Sequence, residues 1–337
     1  MGARVVVVIV TFERAPLLRR CLDAVLAQAR PPDLVVAVDN ASGDGTRNLL
    51  RDEFPQVKAV LLPRNVGSAG GFARGMTAAL AEGADWVWLM DDDVAPDPSC
   101  LGELLEVAAA AAKRVVVPRR LTPDGRDCAA EAVLVESAQR VDVVIGDPER
   151  ERYRLIDLFT FEGPLIHRSV IEVVGLPNAN LFIRGEDILY GVGINRRCGP
   201  LSCALATRAT MRRQLPMPEG VKGTSRLKGW LSGDPTYEML GDGEHWKVAY
   251  ELRNRHLMWR ALGWRRRRLR LLVAHLGYVV VDLVHAVRSG WNWPLRLRYN
   301  LTALGLGLLG RDRPFLDPRA YRARLAAAPR ARKKAAG

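Results

Sequence analysis

Between residues 4 and 112 four short apolar runs alternate with four stretches of helical spacing, and this alternation limits the fold more than any other feature of the chain. The spacing predicts strands over residues 4–11, 34–39, 57–62 and 86–90. It predicts helices over 16–29, 46–54, 71–82 and 98–112. Strand and helix in strict turn imply an α/β fold with a mostly parallel sheet and helices on both of its faces. The opening run "VVVVIV" is too short for the apolar part of a secretion signal, and no small-residue cleavage site follows it. It reads instead as a strand buried on both faces. Sheets of this kind bind ligands beyond the carboxyl ends of their strands. Thr11, Asp39, Arg64 and Asp91 each fall just past a strand end, so one rim should gather four polar clusters.

Beyond residue 112 the pattern is less regular. "LFTFEGPLIHRS" predicts a strand, residues 169–174 a helix, and "LFIRGEDILYGVGINRRCG" a strand entering a helix through Gly185, Glu186 and Asp187. The expected organisation is a catalytic domain over 1–210, a Gly- and Pro-rich insertion or loop over 211–244, a basic amphipathic helical region over 245–325, and a disordered tail over 326–337. Five cysteines without CxxC spacing indicate neither a disulfide framework nor a zinc site and fit a reducing cytoplasm. The net charge of +13 is lopsided: from Arg260 onward 18 Lys and Arg face three Asp, a balance of +15, which leaves −2 for everything before. Basicity therefore belongs to the C-terminal region and says nothing about chemistry on the rim.

Three polar segments carry that chemistry. In "WVWLMDDDVAPDPS" three adjacent carboxylates follow a buried strand. If extended, they project Asp91 and Asp93 to one side and Asp92 to the other. Paired carboxylates suit Mg²⁺ or Mn²⁺, hard cations that complete their shell with water and phosphate. The alternative is a solvated turn that caps the next helix. Glu186 and Asp187 form a second acidic site at a helix N-terminus, which should keep them ionised and able to accept a proton from a hydroxyl; an ordinary acidic first turn is the competing account. In "PRNVGSAGGFARGM", Gly67, Gly70 and Gly71 allow close backbone approach to a ligand, and Arg64 or Arg74 could meet phosphate.

Taken in order, "VVVIVTFER", "VVAVDNASGDGT", "PRNVGSAGGFARGM", "WVWLMDDD" and "FIRGEDILYG" resemble the inverting nucleotide-sugar glycosyltransferases of family 2, most closely the bacterial galactofuranosyltransferases and then the rhamnosyltransferases. The likeness covers roughly residues 4–200, with an echo in "HWKVAYELRNRHL". It implies a GT-A fold with a C-terminal helical extension, and a sugar donor bound as a UDP or dTDP ester. By position it implies that Thr11, Phe12 and Glu13 line the nucleobase pocket and that Asp39 contacts base or ribose. Asn65, Gly70 and Gly71 would lie under the donor, with Arg64 beside its phosphates. Asp91 and Asp93 would hold Mn²⁺ or Mg²⁺, with Asp92 near the sugar or ribose. Asp187 matches the general base and Glu186 its companion near the acceptor, a glycan, glycolipid or small molecule of cell-wall, polysaccharide or secondary metabolism.

The chain departs from that pattern at Glu13, where relatives carry Asn, and at Leu189 and Gly193, where they carry an acidic residue and an Arg. Some galactofuranosyltransferases add a metal-binding His about two dozen residues past the base; this chain has "ATRATMRRQLP" there. His245 is the one distant substitute considered. These departures keep a second function open, a catalytically silent nucleotide-sugar-binding or scaffolding protein. A nucleotidyltransferase would also pair carboxylates with a metal, but it needs a basic glycine-rich loop that "TFERAPLLRR" does not supply.

The basic region points to a surface. Residues 271–287 fall short of a usual membrane span and contain Asp282, His275 and His285. An interfacial helix on an anionic membrane surface through residues 264–300 fits better, on the inner face of the cell membrane. A helical pair packed on the catalytic domain, or a homo-oligomer contact, is the alternative. Nucleic acid is not expected, because no binding motif accompanies the charge.

Overall fold

A computed structural model describes residues 2–128, 132–135, 139–142, 148, 150–216, 241–261 and 268–327. The chain divides into two compact units: residues 1–179 with 186–217, and residues 180–185 with 218–337.

The first unit begins with the predicted alternation: β1 (Val5–Thr11), α1 (Ala15–Leu26), β2 (Leu34–Asp39), α2 (Thr46–Asp52), β3 (Lys58–Leu61), α3 (Gly67–Ala81) and β4 (Trp86–Asp91). It continues through β5 (Val94–Pro96), α4 (Cys100–Ala110), β6 (Val115–Leu121), β7 (Ala132–Val135), β8 (Gln139–Asp142), β9 (Tyr153–Ile156), β10 (Leu165–His167), α5 (Arg168–Val174), α6 (Glu186–Cys198) and β11 (Cys203–Arg213). The large sheet runs β3-β2-β1-β4-β10-β6-β11-β5, with β9 on β11, while β7 and β8 pair separately. The first four strands are parallel, as is β6 with β11; β10 runs against both β4 and β6. The GT-A-like fold is thus a mixed sheet whose parallel half was the legible half.

Every residue of β1 is buried. Val5, Val7 and Ile9 pack with Leu18, Cys21 and Leu22 of α1 and Leu101 and Leu104 of α4. Val6, Val8 and Val10 pack with Phe72 and Met76 of α3 and Tyr190 and Ile194 of α6. A strand covered on both sides explains why its sequence is a continuous β-branched run rather than an alternation. Full burial of such side chains stabilises by about 1.5–3 kcal/mol each.

Glycines set how close α3 lies to β1. A Cβ on Gly71 would stand 2.6 Å from Val10 Cγ1, and one on Gly75 2.2 Å from Val8 Cγ1. Gly70 and Gly71 are both buried and pack closely on the protein's own strand and helix turn: a Cβ on Gly70 would meet Val66 at 2.6 Å.

Two expectations are corrected. Residues 181–184 form no strand: a 3₁₀ turn at Ala179–Leu181 leads into Phe182 (φ 67°), Arg184 (φ 64°) and Gly185 (φ 97°), and left-handed residues break extended pairing. In "LFTFEGPLIHRS" the strand is confined to Leu165–His167, because Gly163 turns the chain at φ 100° and bonds back to Leu89.

The second unit holds α7 (His245–Ala261), α8 (Arg268–Arg288), α9 (Trp293–Leu309) and α10 (Pro318–Ala327). Its core joins Phe182, Trp246, Tyr250, Tyr278, Tyr299 and Tyr321. Buried Arg253 of α7 donates through Nη2 to the carbonyls of Asn180 (3.0 Å) and Leu181 (2.8 Å). Its neighbour Asn254 donates to the carbonyls of Leu181, Ile183 and Arg184 at 2.8–3.0 Å. These two residues, from the "ELRNRHL" stretch, hold the irregular 180–184 segment. The 262–267 arginine run, the 217–240 part of the insertion and the 328–337 tail lie outside the described residues.

Candidate active site

Strand register builds the rim. Thr11 stands opposite Asp39, and Val10 opposite Asp91. The loops that leave these strands tie to one another: Glu13 N donates to Ser42 Oγ (2.8 Å) and Ala15 N to Asp44 Oδ2 (2.9 Å). Glu13 sits at φ 53°, so the loop after β1 turns sharply before α1 begins.

The triple aspartate is not extended. Asp91 ends β4, Asp92 and Asp93 form a turn, and β5 starts at Val94. The expectation that Asp92 points away from Asp93 therefore fails: one guanidinium reaches both. Arg14 Nη1 lies 3.2 Å from Asp92 Oδ1 and 3.2 Å from Asp93 Oδ2. Thr11 Oγ1 donates to the other Asp92 oxygen at 2.7 Å. Gln214 closes the turn from behind, its backbone N on Asp93 O (2.7 Å) and its Nε2 on the carbonyls of Leu17, Asp92 and Val94.

Burial raises the proton affinity of Asp92 to a pKa of about 6 against the pull of Arg14 and Thr11. Burial also pushes Asp91 well above the usual carboxylate range, and the charges of Asp93, Glu162, Asp92 and Glu186 add to it. A carboxylate in such company has too little positive charge around it. Its oxygens, with those of Asp93, form a hard donor set that fits Mg²⁺ or Mn²⁺. Among the described residues no group of three His, Cys, Asp or Glu is arranged to hold a metal, so water and phosphate oxygens would have to complete any shell.

Glu186 and Asp187 open α6, as expected. Ser68 Oγ at the start of α3 donates to Glu186 Oε1, and Ile188 N donates to Asp187 Oδ1 at 2.7 Å. The helix terminus does not decide the ionisation alone. Burial lifts Asp187 to a pKa of about 6; the Ile188 N–H and Arg120 oppose the shift, and Glu162 adds to it. Asp187 remains ionised at pH 7, by a narrower margin than a helix terminus alone would leave.

Glu162 links the two acidic groups. Burial would raise its pKa, but Arg120 and Arg213 outweigh burial and hold it below the usual glutamate value. Arg120 Nη1 donates to it at 2.9 Å, and Arg213 Nη1 donates to the other oxygen. Its charge acts on both Asp91 and Asp187. Sequence reasoning missed Arg14, Glu162, Arg120, Arg213 and Gln214. Arg14 was findable as a cation three residues beyond the first strand, on the rim that bears the carboxylates. The rest come from segments without periodicity.

The remaining candidates are placed as follows. Asp39 is fully buried, with Oδ1 accepting from Ser42 N (2.9 Å) and Oδ2 from Arg47 Nε (2.7 Å). Asn65 Oδ1 accepts from Gly67 N at 2.7 Å and so caps the entry to α3. Phe12 is half-buried and Arg64 exposed. His245 is a core histidine of the helical unit rather than an open ligand: it is fully buried, its Nε2 lies 2.9 Å from Asn300 Oδ1, and burial, with the Arg296 charge, lowers its pKa to about 4.

Residues 6–128 match glycosyl transferase family 2. The galactofuranosyltransferase GlfT1 of Mycolicibacterium smegmatis is 33% identical over 196 residues, 54% of this chain and 62% of that protein. GlfT1 of Mycobacterium tuberculosis is 35% identical over 192 residues, 56% of this chain and 63% of that protein. The chain thus spans less than two thirds of either relative. Among solved structures, that of GalNAc-T7 with UDP, GalNAc and Mn²⁺ superimposes with a TM-score of 0.51 over 68% of this chain and 47% of that one, at 19% identity, a likeness of fold.

Proposed function

We propose that this chain, whose residues 6–128 match glycosyl transferase family 2, is an inverting transferase that moves galactofuranose, rhamnose or a similar sugar from a UDP or dTDP donor to a hydroxyl. The acceptor is a glycan, glycolipid or small molecule, and the enzyme works in the cytoplasm at the inner face of the cell membrane. What supports the reading is the match of residues 6–128 to the family, together with Glu162, which is held by Arg120 (2.9 Å) and Arg213 and whose charge acts on both Asp91 and Asp187.

In this reading Thr11, Phe12, Glu13 and Asp39 meet the nucleoside, while Arg64, Asn65 and the start of α3 lie beside the diphosphate and sugar. Asp91 and Asp93 would hold Mn²⁺ or Mg²⁺, which when bound would neutralise charge on the diphosphate leaving group. Arg14 keeps Asp92 and Asp93 in one turn. Asp187 takes the proton from the attacking hydroxyl as it displaces the diphosphate at the anomeric carbon. Glu186, fixed by Ser68, orients the acceptor. Positioning and charge compensation do the rest.

A thermal-shift screen of nucleoside diphosphate sugars, with and without Mn²⁺, tests this. A ligand that binds only the folded state raises the melting temperature by mass action. UDP or dTDP sugars with Mn²⁺ should give the largest rise; no rise with any donor would refute the reading.

A further inference from the structure

Helix α8 presents two faces of different fate. Leu271, His275, Tyr278, Asp282 and Ala286 are buried within the helical unit. Polar bonds lock that side in place: His275 Nδ1 lies 2.9 Å from His256 Nε2, and Asp282 pairs with Arg296 of α9. The opposite side is open. Leu269, Val273, Leu276, Val280, Val284 and Val287 are 44–70% exposed and recur at steps of three and four residues, which places them on one stripe. From Val273 to Val287 the only formally charged residue is Asp282, and it is turned inward. A stripe this long without charge is costly in water.

The charges around the stripe select its occupant. In sequence, Arg265, Arg266 and Arg267 precede the helix, Arg268 opens it, Arg270 follows in its first turn and Arg288 ends it. Trp291 lies under the Arg296 guanidinium at 4.6 Å, and Trp293 is 44% exposed. A second copy would bring one strongly cationic region against another, and its helix seam would ordinarily be flanked by charges of both signs. An anionic lipid surface complements the same cations and takes the tryptophans at its boundary. The 18 residues Leu271–Arg288 are long and apolar enough to cross a membrane, but only by immersing the Asp282–Arg296 pair as well.

We propose that α8 lies in the plane of an anionic lipid surface, with the Leu269–Val287 stripe in the acyl boundary and the flanking arginines on headgroups. This rests on the membrane location proposed above and not on the transfer chemistry.

Sedimentation of the full chain with vesicles of phosphatidylcholine, with or without phosphatidylglycerol, tests it. The wild type should bind the anionic vesicles at least tenfold more tightly than the neutral ones. The L276E/V280E double variant should lose at least tenfold of that binding while its circular dichroism and donor-induced thermal shift stay unchanged; V273S/V280S serves if the glutamates prevent folding. Wild-type binding by a folded variant would overturn the proposal. So would a wild type that is dimeric by light scattering with a monomeric variant that still binds vesicles, or protein that stays in cell membranes after an alkaline carbonate wash. A donor shift without vesicle binding sinks the docking alone; vesicle binding without a donor shift sinks the transferase reading alone.

Discussion

In its proposed role as the base Asp187 must be ionised, and its folded-state pKa of about 6 lies above the ordinary 3.8. The transfer rate at saturating substrate should therefore be flat above pH 7 and fall about tenfold for each pH unit below 6. A pH–rate profile measures this limb. The same sign governs stability. Asp92 and Asp187 both bind protons more tightly folded than unfolded, so their contribution is fully present below about pH 3.8 and is lost as pH rises through about 6. For Asp92 the loss is on the order of 3 kcal/mol. The site is thus less stable when charged, as binding sites often are. The residue types were legible: adjacent carboxylates past a strand end, and an acidic pair opening a helix. Their ionisation was not, because it depends on burial and on Glu162, Arg120 and Arg213, which come from β6, β11 and the turn before β10.

Elements were legible where a period was imposed by burial. β1, β2 and β4 fall within a residue of their predicted bounds because each is covered on both faces. Helix α3 begins at Gly67, four residues before its predicted start, since Asn65 Oδ1 accepts from Gly67 N and Asn40 Oδ1 from the N–H of Val66, the residue that precedes the helix. Glycines hid that start from any propensity argument, and two of them have a packing role. Gly75→Ala should destabilise the protein by about 1–3 kcal/mol through overpacking against Val8, with donor affinity retained in the folded fraction. Urea unfolding followed by calorimetric donor titration separates the two effects. The segment 181–184 reads as a strand because Leu181, Phe182 and Ile183 form a continuous apolar run. Its backbone is instead claimed by Arg253 and Asn254, about seventy positions later, and local sequence carries no trace of such a partner.

At the scale of the molecule, the uneven charge marked the division between a weakly acidic α/β unit and a basic helical one. It did not show that residues 180–185, which run directly into Glu186 and Asp187, belong with the helices. The boundary expected at 210 falls inside β11, which continues to Arg213 and supplies one of the two arginines on Glu162. In the proposed reading the first unit works by using the acidic turn after β4 together with the acidic start of α6. The most direct measurement compares wild type and Asp187→Asn for donor binding by calorimetry and for sugar transfer, using the donor that gives the largest thermal shift with Mn²⁺. The variant should bind that donor as the wild type does and transfer about 10²–10⁴-fold more slowly. Transfer at the wild-type rate by the folded variant would contradict the account.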